Sequence, residues 1–203
     1  MVYLPVILLA YLLGSSSMAY WLSLIKKVDI RKNGSGNLGA SNATVLFGWG
    51  AGVLVAVHDI GKAVLAVMLA KLLLPELEYV DAAAGVACVL GHIFPFYLKF
   101  RGGKGLASFL GVIGALNWKV GLAMALLLVI VTLVTDYISL GTLSVSVSAP
   151  VGVWLVTGKI VVPLILCIAT VVMIFKHLEN IKRIRNHTEI GLRSTAKGEN
   201  RMK

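Results

Sequence analysis

Charge is scarce in this chain. Asp, Glu, Lys and Arg together make up 14% of its 203 residues, against about a quarter in a soluble globular domain. Apolar residues take 58% of the sequence and mean hydropathy is +0.90, which excludes a fold whose whole surface faces water. The period-2 alternation of polar and apolar side chains that a water-lined β-barrel needs is missing from the apolar runs, so a barrel is excluded as well. Cysteine is nearly absent: Cys88 and Cys167 stand far apart inside apolar runs with no metal-ligand spacing, and read as buried packing residues. No polar stretch is long enough to fold as a separate soluble domain. What remains is an all-α polytopic membrane bundle.

Seven apolar runs can be drawn, at 1–25, 45–74, 82–98, 106–116, 119–135, 137–157 and 160–175. A spanning helix takes about 20 residues, so about seven transmembrane helices fit, and the first reads as an uncleaved span because its positive residues, Lys26 and Lys27, follow the apolar stretch. An odd count places the termini on opposite faces. With the N-terminus outside and the C-terminus cytoplasmic, the inner segments 26–44, 99–105 and 176–203 carry four, three and eight Lys/Arg, and the outer connections only Lys119 and Lys159. That asymmetry is the positive-inside pattern, and it accounts for most of the net charge of +10. The expected organisation is one integral-membrane domain over 1–180 and a basic cytoplasmic tail over 181–203, with Arg193 to Lys203 disordered. Two places weaken the count: 106–116 is short for a span, and the polar residues His58, Asp59 and Lys62 interrupt 45–74, so either is expected to be a broken or re-entrant helix.

The unusual polar residues fall in the three inner segments, and their convergence on one cytoplasm-facing site is the expectation. The first segment contains GSGNLG at 34–39, which satisfies G-x-G-x-x-G in letters only, since no strand precedes it and no βαβ unit surrounds it. Its glycines, Gly34 and Gly36 among them, can still bring backbone N–H groups to an anion just ahead of a helix capped by Ser41 or Asn42. A flexible surface turn is the plainer alternative. The second segment, Arg101, Gly102, Gly103, Lys104, Gly105, leads straight into an apolar helix and lacks Walker A spacing. Glycines and a lysine at a helix N-terminus make a phosphate cradle, whereas a simple positive-inside anchor explains the charges but not the glycines. The third segment holds His177 and Asn180, three apart on one helix face, followed by a basic interfacial stretch.

Inside the membrane Asp59 and Lys62 can neutralise each other at i,i+3, and Ser139 and Thr142 share a face near the cytoplasmic end of their helix. His92 and Asp136 read as buried hydrogen-bonding residues near inner or mid-membrane levels.

Three stretches taken together, DIRKNGSGNLGASN at 29–42, GHIFPFYLKFRGGKGLAS at 91–108 and KHLENIKRIRNHTE at 176–189, resemble the signature motifs of the bacterial integral-membrane acyl-phosphate:glycerol-3-phosphate acyltransferases. The similarity covers nearly the whole chain, and its specificity lies in the order and spacing of all three. The resemblance implies transfer of a fatty acyl group from acyl phosphate to the 1-hydroxyl of sn-glycerol 3-phosphate, giving lysophosphatidic acid and phosphate in phospholipid synthesis at the bacterial inner membrane. It makes Ser35 and Asn37 active-site residues, the run around Lys104 a phosphate-binding loop, and His177 and Asn180 functional. Two positions depart from the family pattern: Val45 stands where an Arg is usual, and Gly61 precedes the lysine of the D-x-x-K stretch.

An acyl phosphate carries its own leaving group, so direct attack by the glycerol phosphate hydroxyl is expected, with His177 or a substrate phosphate oxygen as base and no cofactor or metal. Ser35 as nucleophile is the alternative. The H-x4-D pattern of acyl-CoA-dependent enzymes is absent, because the fifth residues after His58, His92, His177 and His187 are Ala63, Tyr97, Lys182 and Leu192. Only four widely separated Asp are present, unlike the aspartate-rich helix of metal-dependent alcohol phosphotransferases. The partners expected are the two substrates and membrane lipid, with no nucleic acid and no obligate protein partner. A small transporter or channel for an organic phosphate is the competing class, but the polar residues cluster at one face and no inverted repeat is evident.

Overall fold

The computed structural model of the protein describes residues 3–196, and those residues form helices and loops with no strand. In order they are α1 (Tyr3–Ser15), α2 (Met18–Ile25), α3 (Ala40–Phe47), α4 (Trp49–Leu73), α5 (Val80–Ile93), α6 (Leu106–Leu116), α7 (Trp118–Thr135), α8 (Ile138–Thr157), α9 (Val161–Arg185) and α10 (Leu192–Ala196). Six stretches are long and apolar enough to cross a membrane: Tyr3–Ile25, Trp49–Leu73, Val80–Leu98, Trp118–Thr135, Ile138–Thr157 and Val161–Arg185. The 106–116 run forms a helix of 11 residues, which rises about 16 Å, roughly half the hydrocarbon thickness.

The chain folds back before α6 begins. After α5 and a single 3-10 turn at Phe96–Leu98, the glycines reverse direction. Gly102 N then donates to Ile93 O and Gly103 N to His92 O, both at 3.1 Å, so α6 starts at the level of the last turn of α5. It runs on through the middle of the bundle, where Phe109, Val112 and Ile113 are fully buried with Val89 and Ile93 of α5 and Leu166 and Met173 of α9.

The break expected at 58–62 falls elsewhere. The first span divides at Ser16 and Ser17, where the Ser17 hydroxyl accepts from Tyr20 N at 3.3 Å and caps α2. The 45–74 run divides at Gly48, whose φ of 89° no β-carbon residue adopts easily. Around His58, Asp59 and Lys62, by contrast, α4 is continuous, because these polar groups satisfy one another and leave the helical ladder intact.

Helix α1 lies against α5 with backbones nearly touching: a β-carbon on Gly14 would fall 2.0 Å from Cys88 O, and one on Gly91 2.1 Å from Tyr11 O. Small residues at such crossings permit the dispersion contacts that hold membrane helices together. Cys88 is buried there, but Cys167 is exposed on the outer face of α9, contrary to its reading as a core residue. Hydropathy does not separate the two positions, since the lipid-facing side of a spanning helix is as apolar as its packed side. Asp136 is likewise not a deep hydrogen-bonding residue: it ends α7 in the left-handed region, at φ 70°, and its main-chain oxygen accepts from Leu192 N at 2.8 Å. The post-α9 segment is thereby pinned to the α7–α8 turn. Of the stretch expected to be disordered, 193–196 belong to α10, and the remaining residues 197–203 lie outside the described residues.

Candidate active site

One cavity of about 490 Å³ opens at the end of the bundle where the three polar segments meet. Its volume is typical of a small-molecule site, and each segment contributes to its wall.

The first contribution is the loop before α3. The expected cap does not form: the N-cap is Gly39, with no side-chain hydrogen bond. Asn42, 1% exposed, turns back into the loop instead. Its Oδ1 accepts from Ser35 N at 3.0 Å, and its Nδ2 donates to Ile30 O, Asn33 O and Asn37 O, each at 3.1 Å. Asn42 is therefore the post around which 30–37 winds. Gly34, at φ 61°, has to lack a β-carbon because one would sit 2.2 Å from Asn42 Oδ1. Gly34, Ser35, Asn37, Gly39 and Ser41 line the cavity with Asn42, and Gly36 does not. The Ser35 hydroxyl makes no hydrogen bond to any described residue.

The second contribution is Lys104, Gly105 and the first turn of α6, Leu106 and Ala107. Here the phosphate-cradle expectation divides. Gly102 and Gly103 spend their N–H groups on α5 carbonyls and stay off the cavity wall, as does the exposed Arg101. Their glycine character answers to packing, since a β-carbon on Gly103 would meet His92 Nε2 at 2.0 Å. The donors left facing the cavity are those at the α6 N-terminus, where the first N–H groups have no intrahelical partner and the helix dipole favours an anion.

The third contribution is the last turns of α9 and the stretch of chain after them. His177 is 3% exposed, and its Nδ1 donates to Met173 O at 2.7 Å, leaving Nε2 as the ring nitrogen free to act. Asn180 Oδ1 accepts from Lys104 Nζ, Asn180 Nδ2 donates to Glu189 Oε1, and Arg183 Nε donates to Glu189 Oε2 at 2.6 Å. These four residues form one chain of charge-assisted hydrogen bonds. Burial, and after it the Arg183 guanidinium, pull the Lys104 ammonium down from its ordinary value to about 8. Arg183 and Glu189, read from sequence as part of the basic interfacial stretch resting on lipid, stand on the cavity wall instead. The spacing 177, 180, 183 continues one helix face and was the available signal.

Ser139 and Thr142 complete the polar wall from α8. The Ser139 hydroxyl is buried without a hydrogen-bond partner among the described residues, whereas Thr142 Oγ1 donates to Ile138 O at 2.8 Å. Val45, Trp49, Val53 and Ala56 make the α3–α4 wall apolar, and Trp49 and Val53 are exposed on the outer surface.

A buried ionic cluster forms the floor of the cavity, with Asp59 and His92 on its lining. Lys62 Nζ meets Asp59 Oδ1 at 2.7 Å, Ser16 O at 2.7 Å and His92 Nδ1 at 3.0 Å, so each of its N–H groups has an acceptor. The expected Asp59–Lys62 pair is thus present, with His92 added. It also closes the break between α1 and α2 by taking up the Ser16 carbonyl, and it backs the Gly103 turn through His92.

A polytopic helical fold whose cavity joins a lysine and a helix N-terminus to an apolar wall defines an integral membrane protein with a site suited to a small anion. A family profile described as Glycerol-3-phosphate acyltransferase matches residues 4–187, and the chain belongs to that family. Among curated proteins it is 38% identical over 191 residues to a Glycerol-3-phosphate acyltransferase of Coxiella burnetii (strain RSA 493 / Nine Mile phase I), covering 93% of this chain and 97% of that one. It is 34% identical over 203 residues to Glycerol-3-phosphate acyltransferase 1 of Oceanobacillus iheyensis, covering 96% and 97%. Among solved structures, the crystal structure of PlsY, an integral membrane glycerol 3-phosphate acyltransferase, in its glycerol 3-phosphate form superposes with a TM-score of 0.91 at 31% identity, covering 97% of this chain and 98% of that one. The lysophosphatidic acid form gives 0.86 at 32% identity, covering 94% and 95%.

Proposed function

We propose that the protein transfers an acyl group from an acyl phosphate to the 1-hydroxyl of sn-glycerol 3-phosphate, releasing lysophosphatidic acid and inorganic phosphate. The observation that carries this reading is the cavity itself: Lys104 and the α6 N-terminus at one side, His177 and Asn180 beside them, and an apolar α3–α4 wall that continues to the lipid-facing surface. Such a site receives a phosphate and an alkyl chain together.

In the reaction the hydroxyl oxygen forms a bond to the acyl carbon, the bond from that carbon to the bridging phosphate oxygen breaks, and the electron pair leaves with phosphate. Lys104 and the first N–H groups of α6 stabilise the charge that grows on the departing phosphate, and Asn180 holds the ammonium in place. The hydroxyl proton passes to His177 Nε2 or to a phosphate oxygen. The Ser35 loop, fixed by Asn42, orients the acceptor. A serine nucleophile is disfavoured because the Ser35 hydroxyl has no base hydrogen-bonded to it.

The cavity end carries most of the Lys and Arg, which supports a cytoplasm-facing site in a bacterial inner membrane with the N-terminus outside. Reconstituted protein should release phosphate only when acyl phosphate and glycerol 3-phosphate are both supplied. Uptake of glycerol 3-phosphate into vesicles without phosphate release would overturn the reading in favour of a transporter.

A further inference from the structure

We propose that Arg183 binds substrate, forming with Lys104 a two-cation clamp on a phosphoryl group. The inference rests on the acyl-transfer reading and adds a residue to it. Among the described residues that line the cavity, Lys104 and Arg183 are the only Lys or Arg. They reach it from different directions: Lys104 sits where α6 starts, and Arg183 comes from α9, on the face that already carries His177 and Asn180.

Among the described residues that line the cavity, Lys104 is the one cation with no carboxylate in direct contact. Asp59 is neutralised from below by Lys62. Glu189 is held by Arg183 and Asn180. A phosphate monoester brings up to two negative charges, and in a site partly shielded from water one ammonium compensates only half of that. The opposite wall supplies nothing, because Val45, Trp49, Val53 and Ala56 are apolar.

Arg183, whose charge Glu189 already balances, still has the phosphate-binding donors that Lys104 alone lacks. Glu189 takes one N–H, from Nε at 2.6 Å. The two terminal nitrogens, with four N–H donors between them, make no hydrogen bond to any described residue. A guanidinium anchored at Nε presents its far edge as a fork, the geometry that matches two oxygens of a phosphate. Glu189 fixes the plane of that guanidinium and, through Asn180, the Lys104 ammonium, so both cations are set before substrate arrives. Both residues line the one cavity and are joined through Asn180 and Glu189, which sets them side by side for one anion.

Two phosphoryl groups come to this site, one on each substrate, and steady-state kinetics with the full chain separates them. For Arg183→Gln the expected result is a rise of tenfold or more in KM for one phosphate substrate, with KM for the other within threefold. The substrate whose KM rises identifies the phosphate that is clamped. The alkaline limb of kcat/KM should also move to higher pH, because Lys104 loses the neighbouring charge that depresses it. Arg183→Lys, which keeps a point charge without the fork, should fall between. Both KM values within threefold of the parent overturn the clamp. So does a drop in Tm with kcat and both KM values worsening together, which would mark Arg183 as only a pin for Glu189. If the glutamine variant does not fold, the lysine variant decides: a selective threefold rise supports the clamp and unchanged KM values overturn it. Failure of the acyl-transfer reading shows separately, as absence of phosphate release by the unmodified protein.

Discussion

The Asn180 side chain stands between Lys104 and Glu189 with its two ends facing opposite ways, accepting from the ammonium at Oδ1 and donating to the carboxylate at Nδ2. An amide does both from two separate atoms, which lets it span the two charged groups. Asn180→Asp keeps the acceptor but places a second carboxylate against Glu189, and Asn180→Ala removes both contacts. Activity in the assay of phosphate release should fall at least a hundredfold for Lys104→Ala and about tenfold or more for either Asn180 variant, consistent with loss of about 1.4 kcal/mol per factor of ten. Each variant should keep the parent Tm within a few degrees, and near-normal turnover of Lys104→Ala would remove that residue from the reaction.

The Lys104 ammonium, depressed to about 8 by burial and by Arg183, sets an alkaline limit on substrate capture. It is charged at neutral pH and loses its proton as pH rises through 8, so kcat/KM should decline above that point. Bound phosphate favours the charged form, and the limb in kcat should therefore lie at higher pH than the limb in kcat/KM. Stability moves the other way. Between about 8 and the unfolded value of 10.5 the unfolded chain holds a proton that the folded one has lost, so this group makes unfolding less favourable as pH rises through that window. Activity lost above pH 8 together with a Tm that falls in step would point to general unfolding instead of titration of Lys104.

Much of this site was legible from sequence because membrane proteins have few polar residues, and those that occur report either topology or chemistry. Ser35, Lys104, His177 and Asn180 all reach one cavity, as their positions at segment ends implied. The misreadings share a physical origin. Asn42 has the right chemistry for a cap, but a side chain that can cap can also bridge four backbone groups of a loop, and the choice depends on how far 30–37 curls back. Gly102 and Gly103 looked like ligand-approach glycines, yet the same absence of a β-carbon serves packing against His92. The polar residues 58–62 looked like a helix break, whereas the breaks fall at Ser16–Ser17 and Gly48, where no charged residue draws attention.

The Asn42 assignment predicts a phenotype distinct from that of a cap. Asn42→Ala unties Ser35 N and three carbonyls at once, and buried groups left unpaired cost about 1–3 kcal/mol each at most. The loop should loosen without melting α3. KM should rise and kcat fall together while helicity by circular dichroism stays unchanged, and Gly34→Ala, which pushes a methyl into Asn42 Oδ1, should reproduce the effect.

The cluster at the floor of the cavity should govern stability more than any surface charge does. Asp59 and Lys62 are 2% and 5% exposed, and Lys62 also takes up the carbonyl freed by the break at Ser16. Lys62→Met leaves the Asp59 carboxylate buried with only histidines beside it, and breaking a buried pair from one side costs about 3–5 kcal/mol. Asp59→Asn leaves the ammonium with Ser16 O and His92 and should cost less. The double variant removes the uncompensated charge and should recover much of the loss shown by Lys62→Met, so the two substitutions should be strongly non-additive in a double-mutant cycle read by thermal unfolding. Because His92 also backs Gly103, the single variants should lower kcat even at temperatures where they remain folded. Additive losses would mean that Asp59 and Lys62 act separately, and that the break in the first span is held by something other than their pairing.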